Sequence, residues 1–194
     1  MKNPYTIVIL TENHIGLLHR VVTVFTRLRL NIESIAASES QFEGVHRYTL
    51  VIHETEENAQ KVVKQLEKQI EVIKASFFRE AELIYREIAL YKLSMARVLE
   101  NEKINSVLHQ HDARILLIKN EFVIVEKTGT KIETQALYEA LEPYEILEFV
   151  RSGRVALTPA SDEILEAFRH LQRQQDDPLV IEEKRYACTA PSAN

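Results

Sequence analysis

The sequence predicts an α+β protein made of two successive β-α-β-β-α-β units with a C-terminal helix behind them. Three observations carry this reading. Strand-like runs and amphipathic stripes alternate in that order over residues 1–80. The same order returns over residues 81–158. Past Leu157 a proline, Pro159, breaks the pattern, and residues 159–194 read as a helix and a fraying tail. The repetition lies in the order of elements, not in residue identity between the halves.

In the first unit, residues 5–10 (YTIVIL) are β-branched and aromatic and read as a strand. Residues 16–29 carry apolar side chains at 17, 18, 21, 22, 25 and 28, one stripe of a helix. Residues 31–40 look extended, with Ile32 and Ile35. Glu43-Gly44 marks a turn into residues 45–53, where Tyr48, Leu50 and Ile52 alternate with Arg47, Thr49 and Val51. Residues 56–69 form a second helix with apolar positions 59, 62, 63 and 66, and residues 70–78 close the unit as a strand.

In the second unit, residues 87–94 are strand-like and residues 95–109 helical, although the apolar stripe slips between Leu99 and Ile104. Residues 113–118 (ARILLI) and 122–126 (FVIVE) form a hairpin through Lys119-Asn120-Glu121. Residues 131–141 give a helix with apolar positions 132, 136, 137, 140 and 141, stopped by Pro143. Residues 145–157 close the unit. Beyond it, Ser161 suits a helix cap, Asp162 and Glu163 suit the first turn, and Ile164, Leu165, Phe168 and Leu171 form a stripe. Each unit should place two helices on one sheet face. Strands such as Ile7-Val8-Ile9-Leu10 are apolar on both sides, so the opposite faces call for cover by the other unit or another chain. A dimer or larger assembly is expected.

Composition excludes several functions. Lys+Arg is 24 against 29 Asp+Glu, a formal charge of −5, which argues against general binding to phosphate backbones. The four glycines, Gly16, Gly44, Gly129 and Gly153, stand too far apart for a Walker or GxGxxG loop. Cys188 is the single cysteine, so it forms no internal disulfide or thiolate cluster. No apolar run reaches membrane-span length, and the N-terminus lacks a signal peptide's apolar stretch, so a cytoplasmic location is expected. His109 and His111 are two apart and share no helix face, which makes a metal site a weaker reading than a helix C-terminus favouring histidine. No Ser/His/Asp set is suggested by spacing.

The clearest candidate site is the first strand-to-helix turn, Glu12-Asn13-His14-Ile15-Gly16-Leu17-Leu18. A helix beginning there leaves N–H groups without intrahelical partners, and its dipole favours an anion such as a carboxylate. Gly16 allows close approach to the backbone, and Asn13 offers a donor and an acceptor. The plainer alternative is that Asn13 caps the helix and Gly16 eases a turn. A second asparagine, Asn31, begins the next strand at an end distant from that turn within one chain. Across a two-fold interface it would approach the Asn13 turn of another copy and complete a polar pocket for a small zwitterion.

Residues 11–34 (TENHIGLLHRVVTVFTRLRLNIES) resemble the ACT domain, a ferredoxin-like regulatory module that binds amino acids, and specifically that of acetolactate (acetohydroxyacid) synthase small subunits. The resemblance rests on Glu12-Asn13, Gly16, Leu18, Arg20-Val21 and Asn31-Ile32-Glu33-Ser34 in order. Arg86-Glu87-Ile88 with Lys92, and Phe149-Val150-Arg151-Ser152-Gly153 with Val155-Ala156-Leu157, resemble two further segments of that family. Ile15 and His14 depart from the family's usual residues at the turn.

The resemblance implies a first unit (residues 1–80) that is an ACT domain for effector binding and dimerisation, and a second ferredoxin-like unit (residues 81–158). It implies effector contacts from Asn13, His14, Ile15, Gly16, Leu17, Asn31 and Ile32. The backbone N–H groups of Ile15, Gly16 and Leu17 would face the carboxylate of a branched-chain amino acid, valine first. It further implies a chain without catalytic machinery, which stimulates a separate large subunit and confers feedback inhibition in valine, leucine and isoleucine biosynthesis. Thiamine diphosphate, Mg and FAD would belong to that subunit. Two rival readings are a free-standing ACT sensor or transcription regulator, disfavoured by the lack of a helix-turn-helix or basic face, and a small enzyme, disfavoured by the lack of convergent acid, base and nucleophile. Neither nucleic acid nor membrane is an expected partner.

Overall fold

The computed structural model describes residues 2–101 and 103–158, with residues 166, 167, 169, 170 and 173 of a following helix. The expected cap Ser161, the stripe residues Ile164, Leu165, Phe168 and Leu171, and Cys188 lie outside the described residues.

The first unit runs β1 (Asn3–Glu12), α1 (Leu17–Arg27), β2 (Ser34–Glu39), β3 (Val45–Glu54), α2 (Glu56–Leu66), β4 (Val72–Arg79). Its antiparallel sheet has the order β2-β3-β1-β4. In β1, Ile7 sits between Leu50 of β3 and Phe77 of β4. The strand's period of two sends Tyr5, Ile7 and Ile9 to the helix side, where they pack with Val21, Phe25, Val62 and Leu66. Thr55 caps α2, its hydroxyl accepting from the Asn58 N–H, and Glu56 and Glu57 occupy the positive first turn.

The second unit runs β5 (Ile84–Ser94), α3 (Met95–Glu100), α4 (Ile104–Gln110), β6 (Arg114–Ile118), β7 (Phe122–Gly129), α5 (Lys131–Leu141), β8 (Ile146–Arg151), β9 (Val155–Leu157). Its sheet has the order β6-β7-β5-β8, and β9 pairs with the start of β5. Ala89, Tyr91 and Leu93 pack with Val123, Val125, Leu137 and Leu141 on the helix side. Thr130 and Glu133 form a capping box at α5.

Three expectations are corrected here. The helix predicted over residues 95–109 is two helices, parted at Asn101, whose side-chain oxygen accepts from the Lys103 N–H at 3.2 Å. The slip in the stripe between Leu99 and Ile104 is that break. The closing run over 145–157 is two strands, with residues 152–154 between them. On α5, Ile132 is exposed while Thr134 is buried, because its hydroxyl donates to the Glu87 carboxylate at 2.8 Å and its carbonyl accepts from Tyr91 at 2.6 Å.

The contacts of the segment after β8 position the two units. The second face of the first sheet, expected to be covered by the other unit or by another chain, is buried within the chain, so the first of these alternatives holds for it. Thr6, Val8, Leu10, Thr49 and Val51 are all buried there. The segment after β8 crosses this face. Gly153 lies so close that an added Cβ would stand 2.7 Å from the Ile35 carbonyl oxygen. Arg154 donates to the Thr6 hydroxyl at 3.2 Å and to Glu80 at 2.6 Å, and its guanidinium stacks 4.0 Å from the Tyr85 ring. Arg47 donates to the Ala156 carbonyl at 2.7 Å. Ala167 packs on the same face against the cluster of Val8, Leu10, Phe42 and Val45.

Candidate functional site: the loop between the first strand and first helix

The loop after β1 is held from behind. The Asn13 N–H donates to the Gly44 carbonyl at 2.8 Å, fastening it to the β2–β3 turn. The N-cap of α1 is Gly16, with φ 84° and no side-chain cap bond. That left-handed conformation is one a glycine adopts freely. Asn13 is therefore not the helix cap, and its exposed carboxamide makes no hydrogen bond with the described residues.

The donor set differs from the expected one. The Leu17 N–H donates to the His14 carbonyl at 3.2 Å, and the Leu17 side chain is buried in the core. Leu17 thus offers the loop neither side chain nor donor. Among the described residues, the N–H groups of Ile15, Gly16, Leu18 and His19 have no partner, as the first turn of a helix requires. Nothing lies within 4 Å of the point where a Gly16 Cβ would stand, so the space beside Gly16 is open. The Ile15 side chain is fully exposed, and His14 is engaged with Glu12 at 2.8 Å.

The open pocket is lined by Asn13, His14, Ile15, Arg20 and Glu71. Arg20 and Glu71 form an ion pair at its edge. The Glu71 carboxyl is held below its ordinary range, first by a hydrogen bond from its own backbone N–H and then by Arg20. The sequence reading did not assign these two residues to the site. Arg20, one turn after Gly16, was open to detection by helical spacing; Glu71 enters from the α2–β4 connection with no local signal.

Asn31 and Ile32 are not brought to this pocket. Ser34 pairs with Val51, which pairs with Thr6, so the start of β2 lies toward the beginning of β1. Asn13 lies past the other end. Asn31 is exposed and Ile32 packs on the core of the first unit.

Residues 7–74 match the model of the AHAS small subunit-like ACT domain, and residues 86–159 match the model named small subunit of acetolactate synthase. A Bacillus subtilis acetolactate synthase small subunit is 34% identical over 157 residues, covering 80% of this chain and 90% of the relative. The chain belongs to the acetolactate synthase small-subunit family. A probable member from Archaeoglobus fulgidus is 32% identical over 153 residues, covering 79% of this chain and 95% of the relative. The crystal structure of a Thermotoga maritima acetolactate synthase small subunit shares the fold, with TM-score 0.74 at 24% identity over 82% of this chain and 99% of that one. Within this family match, the ACT segment contains both the Asn13–Gly16 loop and Asn31, and the second segment contains residues 151–154 at the junction of the units. Among the described residues no group of three or more acidic, histidine or cysteine side chains could hold a metal ion, and no helix is long and apolar enough to cross a membrane.

Proposed function

We propose that this chain acts in the cytoplasm on a thiamine-diphosphate-dependent acetolactate synthase catalytic subunit, raising its activity and making it sensitive to a branched-chain amino acid, valine first. The observation that carries the effector half is the open pocket at Gly16. Ile15 lines it, and the N–H groups of Ile15, Gly16, Leu18 and His19, without partners among the described residues, lie at the positive end of α1 beside it, where a carboxylate is favoured. The free Asn13 carboxamide beside them suits an ammonium or a carboxylate oxygen.

The second half of the pocket comes from a second copy. β2 is an edge strand of the first sheet, and an edge invites pairing. Antiparallel pairing of two β2 edges would set the Ser34 end of one chain against the Glu39 end of the other. Glu39 pairs with His46, and His46 with Thr11, so that end is the one from which Asn13 extends. Asn31 and Ile32 of each copy would thereby approach the partner's loop. Valine bridging two copies favours one dimer arrangement, and a catalytic subunit that prefers the other is inhibited through linkage. Thiamine diphosphate, Mg and FAD belong to the catalytic subunit in this reading.

Reconstitution with the catalytic subunit, with and without valine, tests it. Wild type should stimulate and confer inhibition. Asn13→Ala and Gly16→Asp should keep stimulation and raise the half-inhibitory valine concentration at least about tenfold, or ~1.4 kcal/mol. Unchanged inhibition in both variants would move the effector elsewhere.

A further inference from the structure

A second cleft, of about 170 Å³, lies between the two units, lined by Glu33, Ser34, Glu87, Lys131, Arg151 and Arg154. It is remote from the Asn13 loop and shares none of its lining residues. Three of these side chains are cationic and two are anionic, and they come from both units.

Their commitments are unequal. Arg154 is fully engaged with Thr6, Glu80 and the Tyr85 ring. Glu87 accepts from Thr134 and stands 2.9 Å from Arg151 Nε. Arg151 is different. Its buried Nε has no aligned hydrogen bond despite that approach, and Nη2 reaches only the Gln135 amide oxygen at 3.4 Å. Its guanidinium also lies 5.0 Å from the Phe149 ring. A guanidinium carries five N–H donors in a fixed fork, and Nη1 of this one makes no hydrogen bond with the described residues, beside an open space. Across the cleft, Lys131 of the second unit is ion-paired with Glu33 of the first. The Glu33 carboxyl is held below its usual range chiefly by this lysine, which keeps it anionic. Ser34, the next residue, also lines the cleft.

The geometry points to a second small-molecule site here, for a small α-amino acid whose carboxylate takes the Arg151 fork and Lys131 while its ammonium takes Glu33 and Ser34. Planar bidentate recognition is what an arginine offers a carboxylate. The Lys131–Glu33 pair opens to admit the zwitterion, and one ion pair is replaced by two. The 170 Å³ volume matches about six waters at ~30 Å³ each, which admits one small amino acid. Because Glu33 and Lys131 belong to different units, occupancy at this seam inserts a ligand between them.

Titration of the full ¹⁵N-labelled chain with L-alanine and with L-valine, followed by amide NMR, reads the two sites separately. At least one of the two should shift amides of Ser34, Glu87 and residues 151–154 in a saturable way. Asn13→Ala should leave those shifts intact. Lys131→Met, and Arg151→Lys (which keeps the charge beside Glu87 but loses the fork), should each weaken them at least tenfold while sparing shifts over residues 13–19. Pyruvate, a carboxylate without the ammonium, should bind the seam at least tenfold more weakly than the amino acid. No seam shifts with either amino acid, or seam shifts indifferent to both the Lys131 and Arg151 variants, would overturn the site. Seam shifts without any at residues 13–19 would instead refute the proposed loop pocket and leave this site standing.

Discussion

The two sheets repeat one order of elements but bury themselves differently. The first is covered on both faces, by α1 and α2 on one side and by the segment after β8, with Ala167, on the other. Among the described residues, the second has helices on one side only. Ile88, Leu90, Leu117 and Val150 on its strands remain 38–53% exposed, whereas Val8 and Leu10 of the first sheet are 1% exposed. The strands of both units read alike as apolar runs. What separates them is where the chain goes next: β8 leads back over the first sheet, and nothing among the described residues returns over the second.

The largest effect that would break this comparison is a charge on each second face. Leu10→Asp places a carboxylate in a sealed apolar cluster, and the expected loss is at least ~3–5 kcal/mol, enough to unfold a marginal domain. Leu90→Asp, on the equivalent strand of the second unit, should cost less than about 1 kcal/mol, since water still reaches the position. Urea unfolding of both variants checks this. Equal losses would mean that the second sheet's bare face is covered in solution.

A smaller effect sharpens why the first face is closed. Gly153→Ala puts a methyl 2.7 Å from the Ile35 carbonyl oxygen and 3.1 Å from the Ala36 Cβ. Backbone cannot yield as a flexible side chain would, so the segment must lift from the sheet. A loss of about 1–3 kcal/mol is expected, with faster hydrogen exchange in β2 and little change in β7. A change of the reverse distribution would place the strain in the second unit.

This closing segment also marks how far the sequence could be read. The element order, the turn at Glu43-Gly44 and the period-two alternation of β3 follow from local chemistry, and local chemistry survives folding. The break at Asn101 was visible as a slipped stripe. By contrast, residues 152–154 looked like the middle of one strand, because no residue type announces that a glycine will touch another sheet. Thr134 was missed for the same kind of reason: its burial depends on Glu87, 47 positions away. At the loop, Asn13 and Gly16 were legible from spacing, whereas Glu71 joins Arg20 only through the fold.

The smallest effect concerns the ion pair across the seam. Lys131 is 50% exposed and Glu33 35%, so solvent screens them and the pair is worth about 0.2–1 kcal/mol. Its sign with pH is fixed by Glu33, whose carboxyl titrates lower in the folded chain than when unfolded, mainly because Lys131 hydrogen-bonds it. A depressed carboxyl stabilises the fold above its unfolded pKa and loses that contribution as pH falls through the folded one. The stability difference between wild type and Lys131→Met should therefore be present at neutral pH and shrink toward zero on acidification below about pH 4. The same measurement in 1 M salt should shrink it at neutral pH, because an exposed pair is screened within a few ångströms. A difference that persisted through both changes would mean that Lys131 holds the units together by packing its alkyl stem rather than by charge. The first sheet's cover would then rest on Gly153 and Arg154 and on that packing, with no electrostatic share from Glu33.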